Sequence, residues 1–507
     1  MTFSISGYAQ SQETTMPHKA QELIIKFKTE PSQDVLQQMA TAVAFTNFKH
    51  KLVLDHHFEM VEAYDWAKLI HVRALPFDNL QKVIEDLEKL PEVEYAEPNY
   101  IFGLDVSLDA LELSVEKGRS AETRTIAGDE VVHEEAPLVE SPSDSQVVVA
   151  VIDTGVAYDH PDLVPHMWTN TAEIPANGID DDANGYIDDV LGWDFSNGDN
   201  DPYDDHYHGT HVAGIVTSLQ NPGDAVIKIM PLKFLSAGGY GTTGDAIRAI
   251  DYAVKNGAKI LNNSWGGGTY SRALLDAIVA SYDANTVFVV AAGNSSLNID
   301  QDAVYPPSYL VPNEVSVAAL DSSDNLTWFS NYGPTTVHVG ALGQSVYSTL
   351  PKERCDTPPC YGYLSGTSMA APYVSGVAAM ILSKNSELMH LQVKEIIMNT
   401  SISNAKLEGK IGQGSVSADD AYLLAQNTEP SSDIPPYVPQ SIGGAIGLTS
   451  DRSSAGVGGC AAAFLDSSSS GGGRGPTSVS LCWPLLFVVL WLRMLCHRRR
   501  KFVLNPF

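Results

Sequence analysis

Four side chains spread along the sequence supply the groups that acyl transfer requires. In chain order they are the carboxylate of Asp153, the imidazole of His208, the amide of Asn294 and the hydroxyl of Ser368. A serine hydroxyl is a poor nucleophile until an adjacent base takes its proton, and a histidine held by a carboxylate is such a base. An amide nearby can donate to the charge that develops on the attacked carbonyl. The four residues therefore predict covalent catalysis by Ser368.

The surrounding elements place each of these residues at the end of a strand or the start of a helix. Residues 147–152 form a β-branched apolar run, typical of a strand buried on both faces, and Asp153 ends it. Asn294 follows a second such run, and a helix is predicted to start at each of His208 and Ser368. A histidine at a helix amino terminus is disfavoured as a cation, so His208 is expected to remain able to accept a proton.

Each of these residues has a simpler interpretation when it is taken alone. Asp153 could be a turn residue, and Ser368 could be an ordinary helix cap. His211, one turn after His208, is expected to be a packed structural histidine, because the glutamate of a zinc-protease helix is missing between the two. Sites in open α/β sheets form at the carboxyl ends of strands, so the four residues in this order favour catalysis.

Five motifs carry a resemblance to a known family. They are Asp153-Thr154-Gly155-Val156 with His160-Pro161-Asp162-Leu163, His208-Gly209-Thr210-His211-Val212-Ala213-Gly214, Asn263-Ser264-Trp265-Gly266-Gly267, Ala292-Gly293-Asn294 and Ser365-Gly366-Thr367-Ser368-Met369-Ala370-Ala371-Pro372. With these motifs, residues 146–426 resemble the catalytic domain of the subtilisin-like serine proteases, the subtilases. The resemblance implies an α/β fold, a parallel sheet flanked by helices, and a serine endopeptidase that acts on protein or peptide substrates.

The resemblance also implies roles for individual residues. Asp153, His208 and Ser368 would form the catalytic triad, and Asn294 would line the oxyanion hole. The backbone of Ser264, Trp265 and Gly266 would pair with an extended substrate as an added strand.

Residues 20–104 predict a separate small α+β domain. Strands are predicted at 22–28, at 68–74 and from Val93, and helices at 32–42 and 78–90. This order, closed by Val93-Glu94-Tyr95-Ala96-Glu97-Pro98-Asn99-Tyr100, resembles the ferredoxin-like propeptide of subtilases. The resemblance implies an intramolecular inhibitor that assists folding and is then cleaved off.

The segments on either side of this domain lack the patterns of folded elements. The acidic segment 105–145 predicts a flexible connection, and cleavage is expected between about residues 103 and 145. Residues 1–19 contain no apolar core of a signal peptide and could be the end of one whose start is missing.

An acidic block in front of His208 predicts a cation site. Between residues 125 and 227 there are 21 aspartates and glutamates and no lysine or arginine. Alternating oxygen ligands followed by a glycine match the first part of a calcium loop, although Leu191 stands where an EF-hand has its glutamate. A solvated acidic loop is the alternative. The predicted ligands are Asp180, Asp182, Asn184 and Asp188, together with Asp162, whose role is implied only by the family resemblance.

The carboxyl end of the chain predicts attachment to a membrane. Residues 427–470 are rich in proline, glycine and serine and predict a linker. Residues 471–507 combine glycines, a short apolar stretch and a basic end, an order that resembles bacterial sorting tails of the Gly-Gly type. Gly458-Gly459-Cys460 is an alternative recognition point for sorting machinery, and a plain membrane anchor is the alternative function.

Composition limits the partners and the compartment. The 507 residues carry a formal net charge of −30, which disfavours nucleic acid as a partner and suits a secreted or cell-surface protein. Cys355 and Cys360 flank a tight turn that could close as a disulfide in an oxidising compartment. We expect a monomer. The alternative to an enzyme is a surface binding protein that has kept the fold without the chemistry.

Overall fold

The structure is a computed structural model that describes residues 18–29, 58–64, 68–74, 79–104, 146–221 and 224–438. The predicted helix at 32–42, the connection 105–145 and the tail 471–507 lie outside the described residues. Among the described residues, no helix has the length and apolar character needed to cross a membrane.

An antiparallel sheet comes first in the chain. Its elements are β1 His18–Phe27, β2 Phe58–Tyr64, β3 Leu69–Ala74, α1 Leu80–Leu87 and β4 Val93–Gly103. The strands pair in the order β2-β3-β1-β4, so β1 lies between β3 and β4 as in a split β-α-β unit. Helix α1 is capped by the Asn79 side chain and buries Val83, Ile84 and Leu87 in the core of this sheet. The ferredoxin-like class is confirmed, and β2 is a strand that the sequence did not predict.

A seven-stranded parallel sheet forms the centre of the following domain. Its strands lie in the order β12-β11-β10-β9-β5-β7-β6. Their bounds are β5 Gln146–Asp153, β6 Trp193–Asp194, β7 Val226–Lys233, β9 Ile260–Asn263, β10 Val287–Ala291, β11 Glu314–Leu320 and β12 Val339–Leu342.

Helices cover both faces of the parallel sheet. They are α2 His208–Thr217, α3 Thr243–Lys255, α4 Arg272–Asp283, α5 Thr367–Lys384, α6 His390–Thr400 and α7 Ala418–Ala425. Alternate residues of β5 enter different cores: Val149 and Val151 pack with α2 and α5, whereas Ala150 and Ile152 pack with α3 and α4. Because both faces are buried, the strands are continuous apolar runs, and the predicted α/β fold is confirmed.

Three further segments complete the described chain. Strand β8 Tyr240–Thr242 pairs with the end of β4, and β13 Val346–Leu350 forms a hairpin with β14 Cys360–Leu364. The loop of that hairpin carries a disulfide between Cys355 and Cys360, as the tight turn predicted. Pro435, in the predicted linker, accepts a hydrogen bond from Tyr282.

Candidate active site

Asp153 and His208 meet at the carboxyl edge of the parallel sheet. Asp153 is the last residue of β5, His208 is the first residue of α2, and both are buried. Nδ1 of His208 lies 2.7 Å from Oδ1 of Asp153, and the backbone N–H of Thr154 donates to the same oxygen at 2.7 Å. A proton held on Nδ1 by a carboxylate leaves Nε2 as the nitrogen that can accept one. The structure thus brings together the predicted acid and base.

Ser368 lies in the first turn of α5. The helix begins at Thr367, so Ser368 is its second residue rather than the cap that the sequence suggested. Its hydroxyl donates to the carbonyl oxygen of Ser264 at 3.2 Å. Within the described part of the chain, no hydrogen bond joins Ser368 to His208. A hydroxyl turns freely about its single bond, and catalytic contacts are often long before substrate binds, so this geometry is that of a resting site.

Asn294 is held beside the start of α5. Its Oδ1 accepts hydrogen bonds from the backbone N–H of Thr367 at 2.8 Å and from the Thr367 hydroxyl at 2.9 Å. The N–H of Gly293 in turn donates to the Thr367 hydroxyl at 3.1 Å. Because the amide oxygen faces Thr367, the nitrogen end of Asn294 is the end suited to an oxyanion.

Asp204, which the sequence did not single out, joins the loops that carry the acid and the base. Its Oδ1 accepts from the Thr154 hydroxyl at 2.9 Å, and its Oδ2 accepts from the N–H and the hydroxyl of Thr210 at 2.9 and 2.6 Å. The Thr154 hydroxyl also accepts from the N–H of Gly209 at 2.9 Å. Burial raises the pKa of Asp204 to about 6. The sequence signal for Asp204 was its position four residues before His208, but several other aspartates lie close to it in the sequence.

The second histidine of α2 has the structural role expected of it. His211 is fully buried, and its Nε2 donates to the carbonyl oxygen of Gly362 at 3.1 Å. Burial lowers the pKa of His211 to about 3. His206 also has its pKa lowered, to about 4, first by burial and then by the nearby charge of His208. His211 and His206 therefore remain neutral near pH 7.

The segment predicted to bind substrate is paired with the end of β4. The N–H of Gly266 donates to the carbonyl oxygen of Gly103 at 3.0 Å, and the N–H of Gly103 donates back at 3.3 Å. Trp265 is buried and packs against the rings of Phe102 and Phe234, at centroid distances of 5.6 and 4.8 Å. Strand β8 borders β4 on its other side. The backbone of β4 thus occupies the groove in which a peptide was expected.

A small pocket opens beside Ser368. It is lined by Ser264, Trp265, Gly266, Gly267, Ala291, Gly293, Val304, Pro307, Thr367 and Ser368. None of these described residues carries a charge, so the pocket suits an uncharged side chain of the substrate.

The acidic loop forms a cluster that differs from the predicted one. Carboxylate oxygens of Glu173, Asp182 and Asp189 lie within 4.8 Å of one another. Asn184 donates to both Asp182 and Asp189, at 3.1 and 2.9 Å. An all-oxygen cluster in a stretch without lysine or arginine fits a hard divalent cation such as calcium. Only Asp182 of the five predicted ligands belongs to the cluster, although Asn184 contacts it.

The other predicted ligands have different partners. Asp180 accepts hydrogen bonds from backbone N–H groups of its own loop, and Asp188 accepts from those of Asn177 and Gly178. Asp162 accepts from the Tyr361 hydroxyl at 2.8 Å. The ligand spacing of an EF-hand could not reveal these two acids, because Glu173 lies before the loop and Asp189 is not at one of its ligand positions.

The comparison with known proteins agrees with this geometry. The subtilase family profile matches residues 144–419, which is more than half of the chain. The chain belongs to the subtilase family. Subtilisin DY of Bacillus licheniformis is 35% identical over 263 residues, covering 51% of this chain and 84% of that protein. The thermophilic serine proteinase of Bacillus sp. strain AK1 is 34% identical over 334 residues, covering 64% of this chain and 72% of that protein.

Other subtilases match over different lengths. Subtilisin-like protease 1 of Plasmodium vivax is 32% identical over 325 residues, and the match spans 59% of this chain but only 50% of that protein. The crystal structure of fervidolysin, a keratinolytic enzyme of Fervidobacterium pennivorans related to subtilisin, shares the fold. Its TM-score is 0.58 at 23% identity, covering 80% of this chain and 61% of that chain.

The amino-terminal domain is the prodomain of this subtilase. Residues 6–99 match the fervidolysin N-terminal prodomain. Glu97 of β4 accepts hydrogen bonds from the Ser271 hydroxyl at 2.6 Å and from the N–H groups of Arg272 and Ala273 at the start of α4. Burial raises the pKa of Glu97 to about 7. Asn99 accepts from the N–H of Gly244 in α3 at 2.9 Å, so the prodomain caps two helices of the catalytic domain.

Proposed function

We propose that this chain is a serine endopeptidase made as an autoinhibited precursor. The observation that carries the proposal is the 2.7 Å contact between Asp153 and His208 in a subtilase domain whose Ser368 lies in the first turn of a buried helix beside Asn294. In the proposed reaction Ser368 Oγ attacks the peptide carbonyl carbon, and its proton passes to Nε2 of His208. That proton is then given to the leaving amine as the carbon–nitrogen bond breaks.

The remaining steps use the same groups. Asn294 Nδ2 and the N–H of Ser368 hold the oxyanion, and each such donor contributes on the order of 3 kcal/mol, a magnitude known for the oxyanion asparagine of subtilisin. Water then attacks the acyl-enzyme with His208 as base, which frees the acid product and returns the proton to Ser368. Asp153 orients His208 throughout and stabilises its cationic form.

The contacts of β4 support autoinhibition. A strand that pairs with Gly266 and fills the space against Trp265 competes with any peptide for the same backbone groups. The prodomain must therefore be cut and released before substrate can bind. The Glu173, Asp182 and Asp189 cluster supports a structural calcium ion, which would hold the acidic loop together by neutralising its charge.

The disulfide between Cys355 and Cys360 supports work in an oxidising compartment. We propose a secreted or cell-surface protease, acting as a monomer, with residues 471–507 serving as a membrane anchor or sorting tail.

The test is labelling by a fluorophosphonate probe, which reacts only with an activated serine. Full-length protein and its Ser368→Ala and Ser365→Ala variants are incubated until the prodomain is lost and are then labelled, with mass analysis of the fragments. We expect labelling of wild type and Ser365→Ala only. A folded, prodomain-free wild type that stays unlabelled would refute the enzyme and leave a binding protein with an inactive site.

A further inference from the structure

Gly103 lies in the groove between strand β8 and the segment that carries Gly266. On one side it exchanges both backbone hydrogen bonds with Gly266, and on the other it lies directly opposite Tyr240 in β8. Residues directly opposite in antiparallel strands project to the same face of the sheet. A side chain at the Gly103 position would therefore project on the same face as the ring of Tyr240.

The Tyr240 ring crowds that face. A Cβ added at Gly103 would lie 2.8 Å from Cδ1 and 3.1 Å from Cε1 of Tyr240, and 3.1 Å from the carbonyl oxygen of Gly239. Gly103 is not among the glycines with positive φ, so its backbone conformation is open to any residue. Glycine is favoured here because of space and not because of backbone strain.

The hydrogen bonds of the groove fix where this position lies relative to the cleaved bond. The carbonyl oxygen of Ser264 accepts from the Ser368 hydroxyl, and Gly266 follows two residues later. Paired antiparallel strands run in opposite directions with each residue opposite one residue of the partner. A substrate residue opposite Ser264 therefore presents its carbonyl to Ser368. The residue opposite Gly266 comes two positions earlier in the substrate.

We propose that Tyr240 makes this protease selective for glycine at the third residue before the cleaved bond. The proposal rests on the proposed function, because β4 stands in for the substrate strand. The preferred substrates are extended peptide segments whose backbone continues into the groove as β4 does, with glycine under the Tyr240 ring.

The selectivity depends on an exposed ring. Tyr240 is 63% exposed, so removing its ring should leave the core intact, whereas the Gly239 carbonyl is backbone and remains in every variant. In a tight pocket, one extra methyl group changes the kcat/KM ratio between two substrates by about tenfold or more. We expect the low end of that range here, because the Tyr240 ring is at the surface and can move aside. We expect roughly tenfold higher kcat/KM for glycine than for alanine at this position, falling to about twofold without the ring.

The experiment profiles cleavage with a peptide library made by digesting a whole proteome. Prodomain-free wild type, Tyr240→Ala and Tyr240→Phe are each incubated with the library, and every cleaved bond is identified by mass spectrometry. Paired quenched peptides that differ only by glycine or alanine at the third residue then give kcat/KM. The Tyr240→Phe variant keeps the ring and is the matched control.

The expected result is enrichment of glycine at that position for wild type and Tyr240→Phe, and loss of the enrichment for Tyr240→Ala. Equal glycine preference in Tyr240→Ala would overturn the role of the ring, as would cleavage by wild type with no preference there. A wild type that neither cleaves the library nor reacts with the fluorophosphonate refutes the proposed function itself, and this inference with it.

Discussion

Replacing Asp204 by asparagine tests whether the loop behind the triad sets the catalytic geometry. The carboxylate has two acceptor oxygens, whereas an asparagine keeps one and presents an NH₂ group in place of the other. The oxygen is expected to stay on the side where Thr154 and two backbone N–H groups donate. The NH₂ group then faces the N–H of Thr210, which loses its partner.

The magnitude follows from that single lost acceptor. A buried N–H left without a partner costs about 1–3 kcal/mol of folding free energy. The start of α2 should shift to relieve the contact, and it carries His208. A displacement near 1 Å at a catalytic group costs about a hundredfold in rate, so we expect kcat to fall by about ten- to a hundredfold. KM should change by less than about twofold, because Asp204 is buried away from the groove.

The assay combines steady-state kinetics of the mature enzyme with urea unfolding of the same variant carrying Ser368→Ala, which prevents self-digestion. The control is Asp199→Asn, an exposed carboxylate in the same loop that accepts one N–H, from Asp201. Three outcomes would refute the reasoning. They are a normal kcat in Asp204→Asn, an effect of that variant on KM alone, and an equal loss of kcat in Asp199→Asn.

Two further predictions concern calcium and pH, both measured on the Ser368→Ala background. Saturating calcium should raise the melting temperature by about 5–10 °C, the value for a ligand at a hundred times its dissociation constant in a domain of this size. Glu173→Gln should remove this shift and Asp162→Asn should keep it; the opposite pattern would restore the sequence-based ligand set. The lowered pKa of His211 means that the unfolded chain binds a proton below pH 6.5 that the folded chain refuses. The free energy of unfolding should therefore fall from pH 6.5 toward pH 3, and His211 should contribute about 1.4 kcal/mol per pH unit to this fall. His211→Gln should flatten the pH profile of stability. An unchanged profile in this variant would mean that His211 is charged in the folded protein.

The proposed catalytic groups could be picked out in the sequence because each ends, begins or closely follows a regular element. A buried parallel strand leaves its carboxyl end at one edge of the sheet, so Asp153 and Asn294 could be assigned to that edge from local pattern alone. The buried helix α5 was likewise visible as a long apolar run, although its start was misplaced by one residue at Thr367.

The other features of the site could not be predicted, because they depend on contacts between segments that are distant in the sequence. Glu173 and Asp189 join Asp182 only because the loop folds back on itself, and Asp204 gains its role from Thr154, which lies fifty residues earlier. The tyrosine of β8 lay in a glycine-rich stretch with no motif. Its effect on Gly103 arises from strand register, which no local pattern encodes.

The short length of β8 has a consequence for the behaviour of the mature protein in solution. Once the prodomain leaves, Tyr240–Thr242 becomes an edge strand whose backbone N–H and C=O groups have lost their partners in β4. Exposed edges of this kind promote aggregation between copies, yet a protease must keep one open to admit its substrate. An edge of three residues can pair with a peptide that the site around Ser368 also holds. It offers a second copy of the protein too few backbone hydrogen bonds to begin an intermolecular sheet.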